Sequence, residues 1–95
     1  MTSTETRKNR VESLNRRFSE KYYEMNIDGR SFFVPETGGA FAFAVDSLAD
    51  DDCLVLEYAE TEDDLRVNRL EDGDSFSMDM TEEAMYEAMI AEIES

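Results

Sequence analysis

Apolar residues recur at helical spacing through the first quarter of the chain. Steps of three and four residues place them on one face of an α-helix. They are Val11, Leu14, Phe18, Tyr22 and Met25. Thr2 and Glu5 have the spacing of a capping box, and the turn residues Asn26, Asp28 and Gly29 follow the last apolar position. The pattern predicts an N-terminal amphipathic helix over residues 1–25.

Basic side chains border the apolar face of that helix. Arg10, Arg17 and Lys21 lie along one side of it, and their alkyl stems can cover apolar surface. An acidic surface complements such an edge, so we expect the helix to dock on the acidic remainder of its own chain. The alternative is an arm that stands away from the body, either swapped into a dimer or bound to a partner.

Three short segments have the two-residue period of β-strands. They are Ser31–Val34, Ala40–Val45 and Cys53–Tyr58. In the second segment large apolar side chains alternate with alanines, which is typical of a central strand covered on both faces. Because the links are short, and Gly38 and Gly39 suit a hairpin turn, the segments predict an antiparallel meander over residues 31–58.

Two further helices are predicted in the second half of the chain. Thr61 and Thr81 are good N-cap residues, each followed by acidic side chains that suit the positive end of a helix dipole. They begin a short helix over 61–73 and a C-terminal helix over 81–95. Between them, apolar and polar residues alternate over Asp74–Met80, which predicts either an edge strand or merely extended chain. The expected fold class is therefore α+β, with a three- to four-stranded antiparallel sheet packed against three helices.

Composition narrows the chemistry that this fold can carry. The 95 residues are enough for a single domain, 1–95, and contain 24 acidic against nine basic side chains, a net charge of −15. There is no histidine, which removes the commonest general base and the imidazole metal ligands. The lone Cys53 cannot form an internal disulfide, and no apolar run is long enough to span a membrane. We expect a cytoplasmic, nonenzymatic protein without a cofactor.

The surplus acids cluster in the segments that follow the second and third predicted strands. Ten of them are candidates for contacting a partner: Asp50, Asp51, Asp52, Glu60, Glu62, Asp63, Asp64, Glu71, Asp72 and Asp74. Loops and helix starts keep carboxylates solvated, which argues against paired acid/base catalysis. Calcium-loop registers starting at Asn68 or Asp72 each place an apolar residue at a ligand position. Acidic residues Glu92 and Glu94 at the last helix end are expected to make it fray.

The acid surplus favours a function in binding. The primary interpretation is a small protein-interaction module that binds a basic protein surface, as a monomer or a homodimer, without contacting nucleic acid or membrane. One alternative is an inhibitor that imitates nucleic acid by presenting carboxylates in place of phosphates. Weak divalent-cation binding and acid/base catalysis are further alternatives. Salt adaptation and simple solubility would also account for the acids without any partner.

Overall fold

A computed structural model of the chain describes residues 3–47 and 52–95. Three helices and five strands alternate along it in an α+β arrangement. In chain order they are α1 (Ser3–Lys21), β1 (Tyr23–Ile27), β2 (Arg30–Val34), β3 (Ala42–Ser47), β4 (Cys53–Ala59), α2 (Glu62–Arg66), β5 (Glu71–Ser77) and α3 (Glu82–Ile93). None of the helices in these two ranges is both long enough and apolar enough to span a membrane.

The strands form one antiparallel sheet in the order β1-β2-β3-β4-β5. The predicted α+β class is confirmed, and the three predicted meander strands are neighbours as expected. The sheet has five strands where three to four were expected. One addition is β1, whose residues 23–25 were predicted to end the first helix and whose Asn26 was predicted to be a turn residue. The other addition is β5, which begins at Glu71. It includes most of the segment Asp74–Met80, for which the sequence predicted either an edge strand or extended chain.

The first helix ends at Lys21 and not at residue 25. Asp28 and Gly29 have φ angles of 52° and 82°, the left-handed pair that closes a two-residue hairpin. This turn folds β1 back along β2, with Ile27 opposite Arg30. Met25 therefore lies in a strand, and its apolar side chain belongs to the sheet and not to the helical stripe.

The middle helix is also shorter than expected. It covers Glu62–Arg66, where a helix over 61–73 was predicted, because Asn68 adopts a left-handed φ of 56° and ends it. The predicted cap is present, since the Thr61 side chain accepts a hydrogen bond from the Asp64 amide at 3.1 Å. Likewise, the Thr81 side chain caps α3, which covers Glu82–Ile93 within the predicted range 81–95.

One face of the sheet holds the main core beneath α1 and α3. Aromatic and aliphatic side chains fill it, and Leu14 and Phe18 of α1 are fully buried there. The Phe18 ring centroid lies 5.1 Å from that of Phe43 and 5.6 Å from that of Phe33. The expectation that α1 docks on its own chain is confirmed.

The cations of α1 pair with acids of the body, as its charge predicted. Arg17 contacts Glu83 at 2.9 Å and Glu82 at 3.6 Å, and Lys21 contacts Glu94 at 3.7 Å. These pairs join α1 to both ends of α3. The long helix is therefore fixed by an apolar face and by ion pairs along its border.

The opposite face of the sheet is covered less completely. Its buried residues are smaller, and they pack around Leu65 of α2: Phe32, Ala42, Ala44 and Ala59. A five-residue helix covers only part of a five-stranded sheet, so Met25 and Ile27 of β1 are only half-buried on this face. The two faces thus differ in both side-chain size and cover.

Candidate interaction site

The ten acids predicted to contact a partner do not form one patch. Asp50 and Asp51 lie outside the described residues. Asp52 precedes the first residue of β4, whereas Glu60 follows its last residue. The seven-residue strand between them separates these two positions by roughly 26 Å. The remaining predicted acids gather at the Glu60 end, on α2 and β5: Glu62, Asp63, Asp64, Glu71, Asp72 and Asp74.

Several of these acids are already neutralised by cations of the same chain. Asp52 pairs with Arg7 at 3.6 Å, and Asp64 pairs with Arg69 at 3.3 Å. Glu62 pairs with Arg66 one helical turn away. Within the described ranges, no ion pair involves the other predicted acids. These are Glu60, Asp63, Glu71, Asp72 and Asp74.

An open pocket of about 340 Å³ lies at this end of the sheet, between β4, β5 and the C-terminus of α3. We call it the Tyr58 pocket. Its lining residues come from four parts of the chain: Gly39, Ala40, Tyr58, Glu60, Glu71, Glu92, Ile93 and Ser95. Glu71 lies directly opposite Tyr58 in the strand register, so both side chains are on the face of the sheet that packs against α1 and α3.

Gly73 allows the C-terminus of α3 to reach the sheet beside this pocket. A Cβ atom at position 73 would lie 2.5 Å from Tyr58 Cε2 and 2.9 Å from Glu92 Oε2. In the absence of a side chain there, the Tyr58 hydroxyl donates a hydrogen bond to Glu92 at 2.5 Å. At the other side of the helix end, Tyr22 donates to Glu94. Tyrosine hydroxyls therefore contact both of the carboxylates that were expected to make this helix end fray.

Carboxyl groups crowd one another in and around the pocket. A hydrogen bond with Glu71 raises the pKa of Glu60 above its usual value of 4.5, and the negative charge of Glu71 adds to the effect. Burial raises the pKa of Glu92, and neighbouring Asp74 raises it further against the opposing hydrogen bond from Tyr58. The pKa of the Tyr58 hydroxyl is also raised, mainly by burial and then by Glu92. In both cases a neighbouring negative charge favours the protonated form of the shifted carboxyl group, Glu60 or Glu92.

This arrangement attracts cations more readily than it performs proton chemistry. Glu60 and Glu71 are both exposed to solvent, whereas paired acid/base catalysis uses carboxyl groups in different environments, one of them typically buried. Across residues 3–47 and 52–95, no three Asp, Glu, Cys or His side chains converge in a way that could hold a metal ion. A positively charged side chain with its own hydrogen-bond donors matches the site better, since it can contact several carboxylates at once.

Sequence reasoning missed three residues of this site: Tyr58, Gly73 and Glu92. Tyr58 is the last residue of the predicted strand Cys53–Tyr58, and the alternation of that strand does not predict a contact for its hydroxyl. Gly73 is the last residue of the range predicted for the middle helix, 61–73. A glycine between strand-like residues also signals close approach of another group, and that signal would have identified it.

No family model, curated protein or solved structure matches this chain.

Proposed function

We propose that this protein is a small, noncatalytic module that binds a basic segment of a partner protein. The proposed binding surface is the group Glu60, Glu71, Asp74 and Glu92 around Tyr58, which we call the acidic end. The observation that carries the proposal is the crowding of these carboxyl groups, none of which has an ion pair with a cation of residues 3–47 or 52–95. A cation from another molecule can offset the repulsion between these carboxylates.

An arginine or lysine side chain is the ligand group that the pocket favours. The volume of about 340 Å³ accommodates one such side chain together with water. A guanidinium group can donate to two carboxylates at once, and its planar face can lie on an aromatic ring such as that of Tyr58. A basic protein segment supplies such a group together with neighbouring charges.

The distribution of acids favours a compact basic segment over imitation of a nucleic-acid strand. An imitation of that kind needs a continuous line of charge. Asp52 lies roughly 26 Å from Glu60, at the other end of β4, and is paired with Arg7. The free half-buried thiol of Cys53 is in keeping with a reducing, cytoplasmic environment for such a module.

Titration with a short arginine-rich peptide with blocked termini tests the proposal. We expect its binding, followed by amide chemical shifts, to perturb residues 58–60, 71–74 and 92 most strongly. Raising the salt concentration should weaken binding because the contact is between exposed charges. The double variant Glu60→Gln, Glu71→Gln should bind the peptide roughly tenfold more weakly.

A matched control separates the site from the net charge. Glu20 on α1 and Glu87 on α3 are exposed, and replacing both with glutamine removes the same two charges elsewhere. We expect this variant to bind the peptide almost as well as the natural chain. Equal weakening in both double variants, or shifts spread evenly over the surface, would show that only net charge matters.

A further inference from the structure

The strand β1 forms one edge of the sheet and pairs only with β2 among the described residues. Its side chains on the partly covered face are apolar: Tyr23, Met25 and Ile27. Tyr23 is 71% exposed, one of two large hydrophobic residues that the described chain leaves open to solvent. This edge therefore combines exposed apolar surface with an unpaired strand backbone.

The hairpin geometry determines which backbone groups of β1 face outward. In a hairpin closed by two residues, the flanking pair exchanges hydrogen bonds, and bonded pairs then alternate along the strands. Ile27 and Arg30 are that flanking pair, so Tyr23, Met25 and Ile27 bond to β2. The N–H and C=O groups of Glu24 and Asn26 consequently point away from the sheet.

The edge lacks the features that usually prevent strand pairing. Proteins protect an edge with charged side chains, proline or a bulge. The segment Tyr23–Ile27 contains neither proline nor a basic residue, its five register pairs with β2 are unbroken, and its only charged side chain is Glu24. At the other edge, β5 carries three acids and pairs with β4 through a register shift.

We infer that β1 is a self-association surface, where β1 of a second copy of this chain pairs with it in antiparallel orientation, centred on Met25. This register places Glu24 opposite Asn26 of the second copy, in the positions whose backbone groups face outward. Tyr23 then lies opposite Ile27 of the second copy, and the two Met25 side chains meet. Apolar groups face apolar groups, and each carboxylate faces an amide, so the edge is complementary to itself.

The acidic end does not oppose this contact strongly, although the chain carries a net charge of −15. The acidic end lies on β4 and β5, which are three and four strand spacings from β1, about 14 and 19 Å away. The Debye length at physiological ionic strength is about 8 Å, so those charges are largely screened at the β1 edge. Pairing through β1 also directs the two acidic ends away from each other.

Sedimentation velocity over about 10 µM to about 1 mM tests the inference, with substitutions at Asn26 that act in opposite directions. Asn26→Asp places a carboxylate opposite Glu24 of the second copy, twice in each dimer, and should raise the dimer dissociation constant about threefold to thirtyfold. Asn26→Lys places an ammonium group there and should lower the constant by a similar factor. Asn26 is exposed, so both variants should fold.

The same substitutions at exposed Asn9 on α1 change the net charge equally and serve as controls. They should leave the constant nearly unchanged. Amide exchange supplies the second readout: exchange at Glu24 and Asn26 should slow as the concentration of the chain rises, while exchange at Met25, already bonded to β2, should not change. Raising the salt concentration should strengthen the dimer and weaken peptide binding at the acidic end, which separates the two proposals.

Three results would overturn the inference. A chain that stays monomeric at about 1 mM has no such association. A dimer in which exchange at Glu24 and Asn26 does not slow uses another surface. If the Asn9 variants shifted the dimer dissociation constant as much as the Asn26 variants, the effect would be due to net charge alone.

Discussion

The two edges of the sheet carry different chemistry although each is a single strand beside one neighbour. The β5 edge has Glu71, Asp72 and Asp74 within four residues, whereas the β1 edge has Glu24 alone. Acids along an edge repel another strand of this chain and attract basic groups. An edge with one charge leaves its backbone available for pairing. The comparison shows that acids are denser along β5 than along β1, which is why we propose a basic partner for one edge and a second copy of the chain for the other.

Phe18 packs against neighbouring strands of the sheet and against α3, so replacing it with alanine has the largest expected effect on stability. Phe18→Ala removes a fully buried ring that contacts Phe33, Phe43 and Tyr86. We expect the free energy of unfolding to fall by about 3–5 kcal/mol, from lost burial and the cavity left behind. Urea unfolding followed by circular dichroism measures it. A loss below about 1 kcal/mol would mean that α1 is not part of the shared core.

Gly73 tests the close packing that defines the β5 edge. Gly73→Ala places a Cβ atom 2.5 Å from Tyr58 and 2.9 Å from Glu92, and 3.3 Å from the Leu56 carbonyl oxygen. The tyrosine ring and the end of α3 must shift, so we expect a loss of about 1–3 kcal/mol in urea unfolding.

Gly39 provides the matched control, because it lines the same pocket and a Cβ atom there meets no atom within 4 Å. Gly39→Ala should change the free energy of unfolding by less than about 0.5 kcal/mol. Equal losses in the two variants would contradict the close approach of α3 to β5.

At the β1 edge, Gly29 tests the turn that creates the strand. Its φ of 82° favours glycine, although no atom lies within 4 Å of a Cβ placed there. Gly29→Ala should therefore cost about 1 kcal/mol through backbone strain alone. Chemical denaturation gives the value, and amide exchange should show faster opening at Met25 than at Leu56 of the central sheet. If amide exchange at Met25 did not change, the turn at Gly29 would not contribute to the stability of β1.

The sequence analysis missed β1 because two sequence patterns in this region predict different structures. Met25 fits the helical stripe by spacing, and this periodicity outweighed the Asp28–Gly29 pair, which was taken only as a helix end. That pair is a strong hairpin signal when apolar residues flank it, as Met25 and Ile27 do before it and Phe32 does after it. The β1–β2 hairpin was therefore predictable. The early end of α2 was not, because Asn68 is one of several residues that could have ended it.

The candidate site was predicted in part. Composition located most of its acids in the segments around α2 and β5, and Glu60 and Glu71 were among the ten. Their proximity could not be read from the sequence, because it depends on the register that places Glu71 opposite Tyr58. Glu92 was missed since its role needs Gly73 and the Tyr58 hydroxyl beside it. Such contacts between distant residues follow from packing and leave no local pattern.

The smallest expected effect concerns the contact between Glu60 and Glu71 at the acidic end. The pKa of Glu60 is raised in the folded chain, so its favourable contribution to folding is complete below its usual pKa of 4.5 and is lost as the pH rises through the folded value. Glu60→Gln keeps a hydrogen-bond donor toward Glu71 at every pH. The variant should therefore be more stable than the natural chain at pH 7, and the difference should close as the pH falls below 4.5.

Thermal unfolding between pH 4 and pH 7 measures this difference in stability. The control is Glu87→Gln, which removes the same charge from an exposed position on α3. If both variants gave the same pH-dependent gap, the effect would belong to net charge and the contact between Glu60 and Glu71 would contribute nothing.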